Sequence, residues 1–425
     1  MALPANEGTN GEVDVLRVPN FRRLWAANGF RYSAAEVAGF ALPVTALVIL
    51  HAEPFAMSLI FASSRLGYLL VGLPAGVWID RWRKKIVLIR ADFVYFAAFG
   101  SIPAAYYLDL LTVPHLVTVA LAVSLAGVFF EIAHSSVLPE MLPKKRVSDA
   151  NARLQTSETT IRTVAPSAAG ALTQTVAAPL LYCFAALCHL VSALLLKRID
   201  LAGDVAGRAR KSERNFRKEV VDGLRVLIRQ PLLRLLAGQA VLNNIGAGML
   251  LTIMPVFLLT DIGLSTLVFG VLSTLGALAG LTASLVAPRL RRRIGEIRMT
   301  LVLSALAPVA VVAAPLAAEF RDVAVVLAAT AEVLIGFVAV GRAVAAAGLR
   351  ARVTPAEYMG RVTAANSVIT QSATPLGALA GGFVATTWST TTALWLGVLE
   401  MCVPIFLLLT SPLRRHRTLP AEWEV

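Results

Sequence analysis

Three of the acidic side chains that lie inside long apolar stretches of this sequence are the first candidates for chemistry. They are Glu36, Glu131 and Glu332. A carboxyl group held away from water favours its protonated form, so it can bind and release a proton as its access to water changes. These three residues are therefore our candidates for proton coupling, and Glu36, near the middle of its stretch, is the first choice.

Other polar side chains share the apolar stretches and are candidates for lining a substrate cavity. They are Arg31, His134, Asn243, Asn244 and Arg342. A charge at the centre of a bilayer costs roughly 3 kcal/mol or more, so each such residue needs a partner or a water-filled cavity.

The charged residues also have structural explanations that involve one another. Glu158 and Arg162 are spaced i, i+4 on a predicted helix, and we expect them to form a structural ion pair. Arg31 could reach the membrane surface through its long side chain. If Arg31 or Arg65 lies close to Glu36, it would instead hold that carboxylate ionised in an ion pair.

The remaining ionisable residues are less informative. Asp92 is expected to partner the basic residues that precede it, Arg83, Lys84 and Lys85. His134 could simply be hydrated. Glu400 and His189 have no explanation at the level of the sequence.

Enzymatic chemistry is not indicated. The sequence has no G-x-x-x-x-G-K-[ST] loop for a nucleotide, no nucleophile–base set and no metal-ligand cluster. Its three cysteines, Cys183, Cys188 and Cys402, lie in apolar stretches without the spacing of a metal site or disulfide framework. We expect neither an enzyme nor a cofactor.

The elements that position these residues are predicted to be membrane-spanning helices. Of the 425 residues, 57% are hydrophobic and 15% are charged, against about 25% charged in soluble domains. A helix needs about 20 mostly apolar residues to cross a bilayer. Twelve stretches qualify: 25–50, 55–79, 86–108, 114–139, 150–175, 177–196, 232–260, 264–288, 299–318, 322–349, 361–386 and 389–412.

The basic residues fix the orientation of these spans. Most of the 39 lysines and arginines fall at the termini and in alternate loops, whereas the loops on the other side contain only Arg321. Basic loops remain in the cytoplasm, so both termini are predicted to be cytoplasmic. The same placement explains the net charge of +13 without a nucleic-acid partner.

The spans divide into two sets of six. We predict a cytoplasmic tail over 1–20, a six-helix bundle over 21–196, a linker over 197–231, a second bundle over 232–412 and a cytoplasmic tail over 413–425. The second part of the linker has an apolar helical face and could lie in the membrane interface or be a solvated helix. Matches at a separation of 209 residues, such as Pro166 with Pro375, indicate an internal duplication.

The loop between spans 2 and 3 carries the most specific motif. It reads Gly76-Val-Trp-Ile-Asp80-Arg81-Trp-Arg83-Lys84-Lys85 and resembles the signature loop of the major facilitator superfamily, G-x-L-A-D-x-x-G-R-K. With the residues before it, from Gly72, it resembles the branch of that superfamily containing the enterobactin exporter and macrolide-efflux proteins. The resemblance covers most of 21–413.

This resemblance implies an all-α integral membrane fold of two pseudo-symmetric six-helix bundles that exports small molecules. It implies a conformational gating loop formed by Gly76, Asp80, Arg81, Arg83, Lys84 and Asp92, and tightly packed interface helices at Pro166, Gly170, Pro375 and Gly377. Two departures weaken the transfer. Val123 and Ser124 stand where the family has a span-4 arginine linked to proton coupling, and Ala165–Gly170 only partly matches its antiporter motif.

The sequence thus favours a proton-coupled exporter of an amphiphilic small molecule, such as a drug or siderophore-like metabolite, working by alternating access. Its expected partners are that molecule, protons and the lipid bilayer, and we expect a monomer in the bacterial cytoplasmic membrane. Three alternatives stay open: a lipid or lysophospholipid flippase on the same fold, an importer, and a non-transporting scaffold or sensor.

Overall fold

A computed structural model describes residues 15–200, 216–355, 358–411 and 416. The regular structure within these residues is helical throughout. The α-helices are α1 (Pro19–Val44), α2 (Pro54–Ser63), α3 (Leu66–Arg81), α4 (Lys84–Tyr107), α5 (Val113–Met141), α6 (Lys144–Leu172), α7 (Leu181–Lys197), α8 (Phe216–Arg229), α9 (Pro231–Val256), α10 (Thr266–Ile294), α11 (Glu296–Glu319), α12 (Ala324–Val353), α13 (Met359–Thr387) and α14 (Thr390–Leu409).

Local sequence explains where several helices begin. Pro19 and Pro231 occupy the first turns of α1 and α9, where the missing N–H group of proline is not needed. Thr112, Ser265 and Ser389 precede α5, α10 and α14, and each side chain accepts a hydrogen bond from the first turn. These caps satisfy backbone N–H groups that have no partner inside the helix.

Each predicted span corresponds to helical structure, although length and hydropathy identify only eleven of the twelve. Eleven helical segments of the described residues are long and apolar enough to cross a membrane. The predicted span that is not among them is the fifth, which corresponds to α6. This helix is as long as α5 but more polar, because it carries Glu158, Arg162 and a basic first turn. It packs against α1 and α10.

The second predicted span is interrupted. The chain leaves α2 at Ser63 and enters α3 at Leu66. Just after the break, the Gly67 N–H donates to the Ser124 hydroxyl of α5 at 2.9 Å, and the Gly67 α-carbon lies directly against the Ser124 backbone. The break brings Arg65 to the middle of the bundle as an exposed side chain.

The two sets of spans share a detail that supports the predicted duplication. Helix α1 contains Pro43 and continues as a π-helix over Thr45–Ile49. Helix α9 contains Pro255 and continues as a π-helix over Phe257–Asp261. Proline removes one backbone hydrogen bond, and local π-helical adjustment can satisfy the freed backbone groups in a membrane helix. The first helix of each set therefore ends in the same way.

The buried apolar cores show how the two sets of helices meet. We call the membrane side that carries Arg83, Lys84 and Arg291–Arg293 the basic side. Toward the opposite side, one continuous core joins both sets and includes Leu47, Met57, Ala169, Phe257 and Phe269. Toward the basic side, the N-terminal set has its own core, which includes Phe21, Ile79, Leu88, Leu138 and Leu196. The C-terminal set has another, which includes Leu233, Ile297, Leu349 and Val362.

The packing between the sets follows the same division. The main contacts run between α6 and α10 and between α2 and α13, and α3 makes smaller contacts with α8 and α13. The polar residues Asn151, Gln155 and Thr156, toward the basic end of α6, are exposed. The halves are thus joined on one side of the membrane and have separate cores on the other.

The linker helix α8 packs against α9 and α13. Leu227 is buried in the basic-side core of the C-terminal set, whereas Ile228 is 49% exposed. The α-carbon of Gly223 lies against the backbone of Arg361. Residues 201–215 of the predicted linker, residues 1–14 of the predicted N-terminal tail, and most of the predicted C-terminal tail lie outside the described part of the chain, as do residues 356–357.

Candidate functional site

Five polar side chains lie at mid-depth in the N-terminal half, on the neighbouring helices α1 and α6 and at the break between α2 and α3. We call this group the central cluster: Tyr32, Glu36, Arg65, Glu158 and Arg162. Arg162 and Glu158 of α6 are the charged groups that act electrostatically on Glu36 of α1. Glu158 also acts on Tyr32, and Arg162 acts on Arg65.

In this structure Glu158 and Arg162 do not form the predicted ion pair. The described residues contain no ion pair between these two side chains, although their spacing permits one. Helix α1 packs against α6, so Glu36 and Tyr32 share the space around both groups. Arg162 is exposed, Glu36 and Glu158 are half-buried, and the cluster therefore offers accessible acidic and basic groups at one depth.

A second polar group is buried inside the N-terminal half. The Arg31 guanidinium of α1 lies 2.5 Å from the Asp92 carboxylate of α4. His189 of α7 lies 2.9 Å from the same carboxylate oxygen through Nδ1, and the Ser192 hydroxyl donates to the other at 2.6 Å. Asp92 is fully buried and His189 is 1% exposed.

Aromatic rings enclose this group. The rings of His189 and Tyr95 stack with centroids 4.3 Å apart. The Arg31 guanidinium lies 3.3 Å from the Phe130 ring centroid and 5.0 Å from that of Tyr95, positions that favour cation–π attraction. The Arg31, Asp92 and His189 side chains therefore form a packed, compensated network inside one half of the protein.

This network corrects three sequence-based expectations. Asp92 pairs with Arg31, His189 and Ser192 instead of the basic residues before α4. Arg31 neither extends to the membrane surface nor pairs with Glu36. His189, which had no explanation from the sequence, orders the Asp92 carboxylate.

Glu131 and His134 of α5 contact different helices. Glu131 is exposed and accepts a hydrogen bond from the Tyr68 hydroxyl of α3. His134 Nε2 lies 2.8 Å from the Asn28 side-chain amide of α1, and its ring stacks on Phe130. His134 thus has a protein partner, while Glu131 stays accessible.

In the C-terminal half, the candidates on α9 pair with two different helices. The Arg342 guanidinium of α12 donates to the Asn243 side-chain oxygen. The Thr374 hydroxyl of α13 donates to Asn244 at 3.1 Å. Glu400 of α14, which had no assigned role, acts electrostatically on Arg342. The structure thus brings Asn243, Arg342 and Glu400 together.

Glu332 lies apart from these residues. It is ten positions before Arg342 on α12, about 15 Å along the helix at 1.5 Å per residue. Its side chain lies where a Cβ on Gly276 of α10 would project. Among the three proton-coupling candidates, Glu36 is the one that the structure surrounds with other charged groups.

The predicted gating loop connects α3 to α4. Gly76, Asp80 and Arg81 belong to α3, but their side chains lie outside the described part of the structure. Arg83 is exposed just before α4, and Lys84 begins that helix. Next to them, the Lys85 ammonium donates to the Ile199 carbonyl at 2.6 Å, which ties the loop to the end of α7.

The aromatic residues of this loop pack together. The rings of Trp78, Trp82 and Phe129 lie with centroids 6.0 to 6.2 Å apart. Trp78 and Trp82 are nevertheless partly exposed. This aromatic stack was not singled out from the sequence, although the two tryptophans are spaced i, i+4 and α3 continues through the first of them.

The predicted interface residues pack closely, but against different partners. On α6, the Pro166 backbone and Gly170 lie against Gly270 of α10, and the Ser167 hydroxyl donates to Thr274 at 2.6 Å. This contact joins the two halves.

The corresponding residues of α13 lie differently. Gly377, two positions after Pro375, packs against the Ile245 backbone of α9 inside its own half. Helix α13 reaches the other half farther along, where Gly382 lies against Ser58 of α2.

Comparison with known proteins agrees with this architecture. The family model of the Major Facilitator Superfamily matches residues 24–378. The chain is also 28% identical over 323 residues to an uncharacterised MFS-type transporter, y4rN, of Sinorhizobium fredii. That match covers 75% of this chain and 77% of the relative.

Solved structures share the fold at low sequence identity. A bacterial homologue of the iron transporter ferroportin, in an inward-facing state, has a TM-score of 0.72 and 18% identity over 93% of this chain and 98% of its own. The nucleoside transporter NupG has a TM-score of 0.73 and 12% identity over 93% and 99%. A D-xylose–proton symporter has a TM-score of 0.68 and 13% identity over 94% and 99%. The predicted all-helical fold of twelve spans is confirmed.

Proposed function

Because the chain belongs to the Major Facilitator Superfamily, we propose that this multi-pass membrane protein exports an amphiphilic small molecule in exchange for protons. Two bundles rock about a central site and expose it to each side in turn. The family and its transporter folds support a transporter of small molecules, whereas direction, coupling ion and substrate are our proposal.

One observation carries this function: the two halves share a core on one side of the membrane and have separate cores on the basic side. A transporter that works by alternating access must pack its halves in this asymmetric way in each of its end states. With the basic loops in the cytoplasm, the structure corresponds to the state whose site faces the cytoplasm.

The central cluster supports proton coupling. Glu36 and Glu158 lie at mid-depth beside Arg65 and Arg162, and the two arginines are exposed. Exposed charges at this depth are expensive unless water or a substrate reaches them. We place the substrate beside this cluster, where it competes with a proton for Glu36.

The resemblance of Gly72–Lys85 to exporters of the enterobactin and macrolide-efflux type supports the direction and the substrate class. A drug or a siderophore-like metabolite fits a site with both polar and apolar walls. Lipid flipping, import and a non-transporting role predict different results in the experiment below.

The experiment has two stages. Purified protein is first screened by thermal unfolding against drugs, siderophores and lysolipids, and compounds that raise its unfolding temperature are tested in proteoliposomes. With an acidic lumen, an exchanger accumulates the compound from outside as protons leave. Accumulation only with acid outside identifies a proton symporter instead, movement of a labelled lysolipid identifies a flippase, and no movement of any stabilising compound refutes a transport role.

A further inference from the structure

Glu400 has an unusual environment for a carboxylate. It lies midway along α14, and both of its carboxylate oxygens are buried without a hydrogen-bond partner. One of these oxygens packs directly against Gly246 of α9, at the position that a Cβ would occupy. An ionised carboxylate left without donors in an apolar interior is strongly disfavoured, so the group needs either a proton or a cation.

Arg342 is the cation that can reach it. Among the described residues, Arg342 is the one charged group with an electrostatic interaction with Glu400, and this attraction acts on both groups. In this structure, however, the guanidinium donates to Asn243 and forms no ion pair with Glu400. The carboxylate therefore has a potential partner that is engaged elsewhere.

The two acceptors available to Arg342 lie one helical turn apart. Asn243 and Gly246, against which Glu400 packs, are three residues apart on the same face of α9. At 1.5 Å per residue, the separation along α9 is about 4.5 Å. A small shift between α9 and α12 would thus move the guanidinium from one acceptor to the other.

We infer that Glu400 is a proton-binding site, and that Arg342 exchanges Asn243 for Glu400 when the proton leaves and the transporter changes state. A proton from water converts the carboxylate to a neutral acid and leaves Arg342 with Asn243, as seen here. When the proton returns to water, the ionised Glu400 carboxylate forms an ion pair with the Arg342 guanidinium, which stays positively charged throughout.

This inference rests on the proposed proton-coupled transport but assigns a separate group to it. Glu36 has the charges of α6 around it, whereas Glu400 has only an arginine with two alternative partners. A sodium ion is a poorer occupant than a proton, because hard cations require several oxygen ligands, and Gly246 and Met401 fill the space beside the carboxylate.

The test measures conformation and needs no known substrate. Spin labels are placed at Asn151 on α6 and Arg289 on α10, both exposed toward the basic side, after the native cysteines have been replaced by alanine. Pulsed electron paramagnetic resonance then gives the distance between the two labels from low to high pH, in sodium and in potassium buffers. For one coupled proton, the ratio of the two states changes by up to about tenfold per pH unit.

We expect the long distance at low pH and a rising short-distance population at high pH. Glu400→Gln should keep the long distance at every pH. Arg342→Gln should lose the pH response too, which provides a second test if the first variant does not fold. Glu319→Gln, an exposed acid at the end of α11, is the matched control and should behave as the parent protein does.

Other results overturn the inference in recognisable ways. If Glu36→Gln abolishes the pH response while Glu400→Gln retains it, coupling depends on Glu36 and the proposed function stands without Glu400. A response to sodium in place of pH overturns the proton site. If the distance between the labels in the parent protein does not change with pH, the proton coupling itself is contradicted.

Infrared spectroscopy provides an independent readout. A protonated carboxyl group has a carbonyl stretching band that an ionised carboxylate lacks, and part of this band should disappear in Glu400→Gln at neutral pH. A band identical in parent and variant shows that Glu400 carries no proton and refutes the inference whatever the distances show.

Discussion

Arg31 on α1 and Asp92 on α4 form a buried ion pair at 2.5 Å, with Asp92 fully buried and Arg31 14% exposed. His189 and Ser192 of α7 provide the other hydrogen bonds to the Asp92 carboxylate. Because the partners come from three helices, this pair joins α1, α4 and α7 into one body. A rigid body of this kind is what rocking of one half against the other requires.

Removal of the Asp92 charge should destabilise the protein strongly. Asp92→Asn leaves the Arg31 guanidinium buried without a compensating charge, and breaking one partner of a buried pair costs about 3–5 kcal/mol. We expect a large fall in the thermal unfolding temperature and in the yield of folded protein.

Asp149→Asn, at an exposed position on α6, is the control for the loss of a surface carboxylate and should change stability little. If the Asp92→Asn variant unfolds at the same temperature as this control, the Arg31–Asp92 pair does not stabilise the N-terminal half.

The fold was accessible from the sequence because the membrane imposes simple rules. Apolar length identified the spans, and the long hydrophilic segment after residue 196 separated them into two sets. Helix α6 shows the limit of these rules, since its polar face is tolerated only where α1 and α10 cover part of it. Residues such as Glu158 and Arg162 therefore lower its hydropathy without preventing it from spanning.

Partners within the site were harder to predict, because helix spacing describes one helix at a time. Glu158 and Arg162 have ideal i, i+4 spacing, yet Glu36 on the neighbouring helix lies within the reach of both charges. The depth of each polar residue along its helix was a signal that the sequence did contain. Arg31, Asp92 and His189 each lie eight to twelve residues from the basic-side end of their helices, which could have grouped them.

The contact between Gly170 and α10 should control the balance between the two end states. The α-carbon of Gly170 lies against the backbones of Thr266 and Gly270 on the side where the halves share their core. A side chain there would push α6 away from α10, so Gly170→Val should disfavour the present state and reduce transport. Spin-label distances across this side should lengthen.

Gly100 of α4 provides the matched control, because a Cβ there would meet nothing within 4 Å. Gly100→Ala should leave both the distances and the transport rate unchanged. A Gly170→Val protein with parental distances would show that this contact does not hold the halves together.

The orientation in the membrane is testable by cysteine labelling in a cysteine-free background. The distribution of basic residues predicts that Ala206 in the linker and Ala421 in the C-terminal tail lie inside the cell. Cysteines at these two positions should react with a membrane-impermeant reagent only after the cells are opened. Leu110→Cys, at an exposed turn between α4 and α5 on the opposite side, should react in intact cells.

Asp80 should affect conformational exchange more than substrate binding. It lies near the end of α3, at the basic side and far from mid-depth, and the family resemblance implies a role in stabilising the outward-open state. Asp80→Asn should slow transport several-fold and leave the dissociation constant of a stabilising compound within a few-fold of the parent value. Loss of binding by a folded variant contradicts this separation of roles.

Glu36 provides the decisive test of the proposed proton coupling at the proposed substrate site. Its carboxyl group shares the central cluster with Glu158 and Arg162, so a proton and a substrate can compete for the same place. Glu36→Gln keeps the size of the side chain and removes its titration. In proteoliposomes with an imposed pH gradient, uphill accumulation should disappear, whereas downhill exchange of labelled for unlabelled substrate should continue. Glu319→Gln should support both. If Glu36→Gln still concentrates substrate against its gradient, the coupling proton binds elsewhere, and Glu131, which is exposed and bonded to Tyr68, becomes the next carboxylate to replace.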